Sequence, residues 1–347
     1  MSPPESVLIV RLSSIGDVVH TIPAYAALRR SWPSTRFGWV VERAAAELVR
    51  RLPGPLQVHE LDIQSWRRRW VSPANLSTLR KQVGALRQPR YQLAIDFQGL
   101  LKSAFVARLG AFRTLGWSAD SAREPWAARL YHRTAVAPSD LHVVHRYLHL
   151  AKQAGAAETG IEWPRIANSD DEEYIDTYLT GLDTRSPIVL HPAANWPSKR
   201  YEPQRLVSAA RELHAETRRP VIWIWGPGEQ ATARSLAEAA GIGNHPSVPT
   251  TLPQLSALLE RAALFIGGDS APLHLAVACG APSVAVFGPT NPSRLGPLTP
   301  TDKVVCEHLE CSHCHKRSCP LGTNACLDAI SAQQIVAAGL SRLQRDQ

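Results

Sequence analysis

Between Leu264 and Thr290 the chain reads LFIGGDSAPLHLAVACGAPSVAVFGPT, and this stretch carries the residues best suited to bind an anion. An apolar run, Leu264 to Ile266, ends in Gly267-Gly268. Asp269-Ser270 then opens a helix that carries His274, and a second apolar run, Ser283 to Phe287, ends in Gly288-Pro289-Thr290. In parallel α/β sheets, ligands sit beyond the carboxyl ends of the strands, where helix N-termini offer free N–H groups and the positive end of a dipole. Two such ends side by side suit a pyrophosphate. Asp269-Ser270 also reads as an ordinary N-cap, so the choice needs a second part of the chain.

That second part lies near the N-terminus. Val7-Leu8-Ile9-Val10 is a short β-rich run, and Arg11-Leu12-Ser13-Ser14-Ile15-Gly16-Asp17 turns it into a helix, with a glycine at the tight point. Asp17 is then a carboxylate in the first strand-to-helix turn. It either complements the helix dipole or faces a ligand. A third group is the cysteines. Five of six fall between 306 and 326, as Cys306-x4-Cys311-x2-Cys314-x4-Cys319-x6-Cys326 with His308, His313 and His315 interleaved. This spacing is adequate for a tetrahedral zinc site and equally compatible with free thiols, while Cys279 reads as a small core residue.

The elements that must position these residues alternate between strand and helix. Strands are expected at Phe37 to Val41, Val58 to Leu61, Leu93 to Phe97 and Thr114 to Trp117, with helices near 43–52, 74–88, 99–110 and 142–155. A polar, irregular stretch from Ala156 to Pro187 follows, its earlier half the linker. A second alternating set then runs through Ile188 to His191, 202–214, Val221 to Trp225, 230–240 and 252–262 into the stretch at 264–290. The last helix, about 329–343, fits either domain. The expectation is an α/β protein with two doubly wound, Rossmann-like parallel-sheet domains, 1–165 and 166–347, and a cleft between them. Its 347 residues exceed the usual size of a single core.

The balance of 38 Lys and Arg against 30 Asp and Glu gives +8, which favours an anionic partner. No run of 18 uncharged apolar residues occurs, and MSPPESVLIV lacks a basic segment ahead of its apolar run. The sequence thus reads as neither a membrane span nor a signal peptide, and the expected location is the cytoplasm.

Several segments taken in order resemble one family: VRLSSIGDVVHTIPA at 10–24, WVVE at 39–42, WRRRW at 66–70, DFQGLLKSA at 96–104, AREPWAARLY at 122–131, SKRY at 198–201, WGPGE at 225–229, and GDSAPLHLAVACGAPSVAVFGPT at 268–290. They resemble glycosyltransferase family 9, the ADP-heptose:lipopolysaccharide heptosyltransferases. The last motif is shared by the whole family, and those between 39 and 131 point to the enzymes that add the first heptose.

The resemblance implies the two-domain fold called GT-B, an ADP-heptose donor, and the Kdo of Kdo-lipid A as acceptor. An acceptor that already carries a heptose is the alternative, and a non-catalytic ADP-sugar binder a more distant one. It implies inverting chemistry with no cofactor and no catalytic metal, performed in the cytoplasm at the anionic face of the inner membrane. Asp17 matches the general base. Lys199 matches a lysine on the donor phosphates and Glu229 an acidic residue near the ribose, while Asp269, Ser270 and His274 face the pyrophosphate and sugar. Where the family has threonines this chain has Ala194-Asn195, and the Asn195 amide can still donate to phosphate.

For the acceptor, Arg67, Arg68 and Arg69, between Trp66 and Trp70, offer guanidinium groups that bind carboxylate or phosphate bidentately. Gln98, Lys102 and Arg123 come from other matching segments of the first domain. Interleaved Trp and Arg also suit single-stranded nucleic acid, but the first-domain motifs weigh against such a partner.

Overall fold

The computed structural model describes residues 3–62, 73–157 and 159–344. The chain divides into two compact units, Met1–Arg165 and Ile166–Gln347. Arg67, Arg68 and Arg69, with Trp66 and Trp70, lie outside the described residues.

The first unit is wound on β1 (Ser6–Val10), whose five residues are all buried. Helices cover both faces of a parallel sheet, so β1 runs apolar from Val7 to Val10 rather than alternating. In chain order there follow α1 (Ile15–Ser31), β2 (Arg36–Glu42), α2 (Arg43–Arg50), β3 (Leu56–Leu61) and α3 (Pro73–Arg87). The chain then returns to lay β4 (Tyr91–Asp96) on the free side of β1. It continues through α4 (Leu101–Gly110), β5 (Ala111–Trp117), a 3-10 helix (Pro125–Leu130), β6 (Arg133–Ala135) and α5 (Val143–Ala154). The sheet order is β3-β2-β1-β4-β5-β6, every pair parallel.

The second unit repeats the winding. After α6 (Ser169–Gly181) come β7 (Ile188–His191), α7 (Pro203–Thr217), β8 (Val221–Trp223), α8 (Gln230–Ala240), β9 (Asn244–Pro246) and α9 (Leu252–Glu260). Next are β10 (Leu264–Gly268), α10 (Ala271–Ala278), β11 (Ser283–Phe287), α11 (Pro292–Leu295), β12 (Lys303–Cys306), α12 (Ala325–Asp328) and α13 (Ala332–Leu343). The order β12-β11-β10-β7-β8-β9 is the first sheet's order over again, with β7 in the place of β1 and β10 in that of β4. In each sheet the loops leaving the two central strands diverge, and ligands collect at such a point.

The sequence expectations of two parallel α/β sheets and of the strands within them hold. Three short strands escaped the sequence reading: β6, β9 and β12 are outermost in their sheets, and their residues (RTA, NHP, KVVC) carry no apolar period. The last helix packs on the second unit. Ile335 and Val336 enter its core, and Arg342 Nε donates to the buried Asp302 at 3.1 Å.

One close approach fixes the layer over β1 and β2. Tyr91, at the start of β4, is buried, and a Cβ built on Gly38 of β2 would fall 2.0 Å from its Oη. That hydroxyl lies 2.8 Å from His59 Nε2 on β3. Burial pushes the Tyr91 hydroxyl up to about 12 and the His59 imidazole down to about 4, so both are neutral at pH 7. Replacing Gly38 by alanine should cost about 1–3 kcal/mol, the usual scale of overpacking. In a urea-unfolding cycle with Tyr91→Ala, the two effects should be strongly non-additive. Additive losses would show that the ring yields freely.

Candidate active site

In the first unit the candidate residues gather where the chain leaves β1 and β4. Ser14 is the N-cap of α1 and Asp17 its third helical residue, so the Ser-x-x-Asp spacing forms a capping box. Asp17 Oδ2 accepts from the Ser14 backbone N–H at 3.1 Å and from its hydroxyl at 2.9 Å. Asp17 Oδ1 receives Arg11 Nη2 at 2.6 Å. Burial by itself would raise the Asp17 pKa, but the Arg11 charge and the Ser14 hydrogen bonds outweigh it and hold the carboxyl below the usual carboxylate range. Its side chain is still 29% exposed, so the group is ionised, oriented and reachable.

Arg11 is held in turn. Its side chain is 6% exposed, Nη1 donates to the Phe97 carbonyl at 3.0 Å, and the guanidinium lies 5.2 Å from the Tyr147 ring centre. The Arg11 carbonyl accepts from Trp39 Nε1 at 3.3 Å. Next along, Leu12 N–H donates to Gln98 Oε1 at 2.9 Å. Gln98 is therefore a buried brace between the two loops.

Behind Gln98 stands Asp96, fully buried. It accepts from Gln98 N (2.8 Å), Gly99 N (3.3 Å), Ser103 Oγ (2.7 Å) and Tyr131 Oη (2.6 Å). Burial raises its pKa against those four donors, which pull it down. The turn it holds has φ +68° at Gly99, where a Cβ would meet Arg123 N and Ala122 Cα at 3.4 Å. Arg123 is thereby brought beside the Gln98 turn. Lys102, one residue into α4, reaches Glu42 Oε1 at the end of β2 at 3.3 Å.

Arg11, Asp96 and Tyr131 were missed in the sequence. For Arg11 and Asp96 a signal existed: a charged residue directly beyond a mostly apolar strand (SVLIV-R), or closing one (YQLAI-D), sits at the carboxyl end where loops collect.

In the second unit the hub is Asp269, immediately after β10 and 7% exposed. Its Oδ2 accepts from Lys199 Nζ at 2.6 Å and Thr290 Oγ1 at 2.7 Å, and its Oδ1 lies 3.1 Å from His274 Nε2. Burial opposes ionisation, yet the His274 contact and the Lys199 charge hold the carboxyl well below the usual range. Lys199 comes from the loop after β7, in the 3-10 turn Pro197–Lys199, and its ammonium lies 4.5 Å from the Trp196 ring centre. Ser270 is the N-cap of α10, yet its side chain makes no cap hydrogen bond. Its Oγ donates to the Gly268 carbonyl at 3.1 Å and lies 3.2 Å from His191 Nδ1. Pro272 has no N–H and His274 N donates to the Ser270 carbonyl at 3.3 Å, so the N–H groups of Ala271 and Leu273 are the ones left to an anion.

His191 links this hub to Glu229, whose Oε2 lies 3.9 Å from Nε2 and accepts from Gly226 N at 2.8 Å. The His191 contact and the Gly226 N–H keep Glu229 below the usual carboxylate range. Asn195 is exposed, next to a buried Ala194 whose carbonyl accepts from Arg200 Nε at 3.2 Å. Lys199, Asp269, Ser270 and His274 thus form one cluster with Glu229 at its edge, and Asn195 flanks it.

The cysteine-rich segment backs this cluster. Ser198 Oγ donates to the Lys316 carbonyl at 2.7 Å and Ser198 N to that of Arg317 at 3.3 Å. His315 N donates to the Pro289 carbonyl at 2.9 Å, and His313 Nδ1 lies 3.1 Å from the Thr290 carbonyl. None of the six cysteines is in a disulfide, and among the described residues no three His, Cys, Asp or Glu side chains are gathered as metal ligands. The zinc option raised by the spacing thus has no preformed ligand set, whereas the segment's contacts to the cluster are plain.

Residues 79–325 match the model of glycosyltransferase family 9 (heptosyltransferase). The chain is 31% identical to lipopolysaccharide heptosyltransferase 1 of Pseudomonas aeruginosa over 317 residues, 90% of this chain and 87% of that one. It is 30% identical to lipopolysaccharide heptosyltransferase 1 of Escherichia coli K12 over 300 residues, 84% of this chain and 90% of the other. Among solved structures, the E. coli heptosyltransferase WaaC with ADP superposes with a TM-score of 0.76 at 26% identity, covering 95% of this chain and 97% of that one.

The Asp269 hub has a measurable signature. A carboxyl whose folded-state pKa is depressed contributes stability above its unfolded pKa, near 3.8, and loses it as pH falls through the folded value. Between pH 6 and pH 3 the stability of Asp269→Asn should therefore fall less steeply than that of the parent. Parallel curves from denaturant titrations would show that the pairing stores no such energy.

Proposed function

The chain belongs to glycosyltransferase family 9, and from that premise we propose that it moves heptose from ADP-L-glycero-D-manno-heptose to the Kdo of Kdo-lipid A. This is the step that opens the heptose region of the lipopolysaccharide inner core. Carrying the reading is Asp17, an ionised carboxylate at the carboxyl end of β1, reachable and aimed by Arg11. The fold is the pair of Rossmann-like domains that GT-B glycosyltransferases carry. The first unit takes the acceptor and the second the ADP-sugar.

In the reaction an acceptor hydroxyl oxygen attacks the anomeric carbon of heptose. The C–O bond to the β-phosphate breaks, and its electron pair leaves with ADP. Configuration inverts because attack and departure occur on opposite faces of the sugar. As the attacking oxygen becomes positive its proton turns acidic, so a weakly basic carboxylate such as Asp17 suffices to accept it. A low pKa is no handicap here, since it guarantees the charged form.

Charge grows on the departing ADP. Lys199 and the free N–H groups at the start of α10 supply the opposing charge, preorganised and needing little rearrangement. Asp269 takes the Lys199 ammonium through Oδ2 at 2.6 Å and, more weakly, through its backbone carbonyl at 3.5 Å, which leaves a third proton for a phosphate oxygen. Glu229 fits the ribose hydroxyls, and His274 and the Asn195 amide fit the sugar and phosphate. On the acceptor side Arg67, Arg68, Arg69, Lys102 and Arg123 suit the Kdo carboxylate and lipid A phosphates, while Gln98 holds the loop. The enzyme works from the cytoplasm at the inner-membrane surface. No described helix is long and apolar enough to cross a membrane.

Incubation with ADP-heptose and Kdo-lipid A should release ADP and add one heptose to the acceptor mass. A product formed only when the acceptor already carries heptose would place the chain later in the core. Asp17→Asn keeps size and capping but leaves the buried Arg11 charge without its carboxylate, so its melting temperature should fall, while the folded protein keeps donor affinity and kcat falls roughly 10²-fold or more. A near-parental kcat would remove Asp17 from the chemistry.

The Arg11 charge is expected to set the acid limb of the rate profile. That limb should lie below the usual carboxylate range in the parent and move up in Arg11→Met, with little movement in Arg11→Lys. For the acceptor side, Arg67→Ala with Arg68→Ala should raise the acceptor KM and leave ADP-heptose affinity, read by calorimetry, nearly unchanged.

A further inference from the structure

One face of the first unit pairs exposed apolar side chains with cations. In α4 the inward positions Ser103, Ala104, Val106 and Ala107 are buried, and Ala104 packs with Ala127 and Tyr131 of the segment around the 3-10 helix. The outward positions form a stripe at helical spacing: Leu101 (44% exposed), Phe105 (58%) and Arg108. The 3-10 helix turns out Trp126, 61% exposed, with the Arg129 guanidinium 4.0 Å from its ring centre.

Within Leu101–Gly110 and Pro125–Leu130 the charged residues are Lys102, Arg108 and Arg129, and there is no Asp or Glu. Glu124, just before the 3-10 helix, is spent on the backbone, accepting from Leu101 N at 2.6 Å. Large apolar groups at such exposure, ringed by cations, mark an interaction surface.

We propose that this face docks the enzyme on a bilayer of anionic lipids, with Leu101, Phe105 and Trp126 entering the head-group region and Arg108 and Arg129 meeting its negative charge. The inference rests on the reading above in one respect, that the acceptor is a lipid. Three observations favour a bilayer over other occupants. The two helices that carry the apolar groups hold cations and no acidic residue, the arrangement of surfaces that lie on membranes. A second copy on the same patch would bring like charges together across a two-fold axis. The face also starts two residues beyond Gly99, in the turn that holds Gln98 and Arg123. Other exposed apolar residues lack this setting: Ile242 sits alone between two glycines, and Phe112 opens β5 at the opposite end of the strands.

Docking there would let a lipid-anchored acceptor present its sugar without leaving the membrane. The Arg129 contact with Trp126 also has a role, since a guanidinium stacked on indole keeps cation and anchor at one depth.

The test is flotation of the full-length protein with vesicles, in the absence of donor and acceptor. Phosphatidylcholine vesicles holding about one quarter phosphatidylglycerol should capture the protein, and pure phosphatidylcholine should not. Added salt should weaken capture. Arg129→Glu should reduce binding by at least about fivefold for the charge removed, and Phe105→Ser with Trp126→Ser should reduce it further. Melting temperature and ADP binding should stay at the parental values in all three substitutions. On a water-soluble Kdo acceptor these variants should turn over normally, and on vesicle-embedded Kdo-lipid A their KM should rise.

Vesicle capture that is indifferent to the substitutions overturns the proposal, as does a dimer, or a complex with single-stranded nucleic acid, that the same substitutions dissolve. Capture is read without any reaction, so loss of the heptosyltransferase reading would show separately, as absent transfer by a protein that still floats.

Discussion

A parallel sheet wound outward from its first strand and then back to its other side has one place where adjacent loops part. Both sheets of this chain are wound that way, and in both the residues with chemistry to offer stand at that place. β1 and β4 deliver Arg11, Asp17, Asp96 and Gln98, and β7 and β10 deliver His191, Lys199, Asp269 and Ser270. The topology does more than collect them. Because the central strands are buried on both sides, any charge at their carboxyl ends must find partners, and the partners found are the neighbouring loops.

Each unit has solved this with one buried or nearly buried carboxylate that receives several donors. Asp96 gathers the turn after β4, the start of α4 and Tyr131. Asp269 gathers the loop after β7, the helix after β10 and the loop after β11. The difference lies in the donors. Those of Asp96 are neutral, so burial dominates and its pKa rises. Those of Asp269 are the His274 imidazole and the Lys199 ammonium beside Thr290, and the His274 contact with the Lys199 charge brings its pKa down. The first serves as scaffold, and the second keeps a cation in place for use.

Much of this was open to reading from the sequence. The apolar runs Val7 to Val10 and Leu264 to Ile266, the second ending in Gly267-Gly268, located two of the central strands, and Asp17 was legible as a carboxylate in the first strand-to-helix turn. Lys199 and Asp269 were each visible as candidates. Their 2.6 Å pairing was not, since 70 residues separate them and only the order of strands brings β7 beside β10. Arg11 was passed over because a lone Arg after a strand has no periodicity to mark it. The buried state of Gln98 was hidden for a similar reason, as its partner is the backbone of Leu12 and no side-chain pattern records that. The short outer strands β6, β9 and β12 lacked an apolar alternation altogether.

Toward the Lys199 loop and the loop after β11, the cysteine-rich segment offers mostly backbone atoms: the carbonyls of Lys316 and Arg317 to Ser198 and the N–H of His315 to the Pro289 carbonyl, with the side chains of His313 and Asn324 reaching the Thr290 and Pro197 carbonyls. Contacts of that kind specify a path for the chain and are indifferent to what most of its residues are. Two of them are made by residues with left-handed backbone, His313 at φ +63° and His315 at φ +53°, positions that few residues besides Gly, Asn, Asp and His take readily. The segment is therefore a place where composition can drift widely while the lysine it supports stays in register. Sequence divergence there is a poor guide to divergence in donor chemistry.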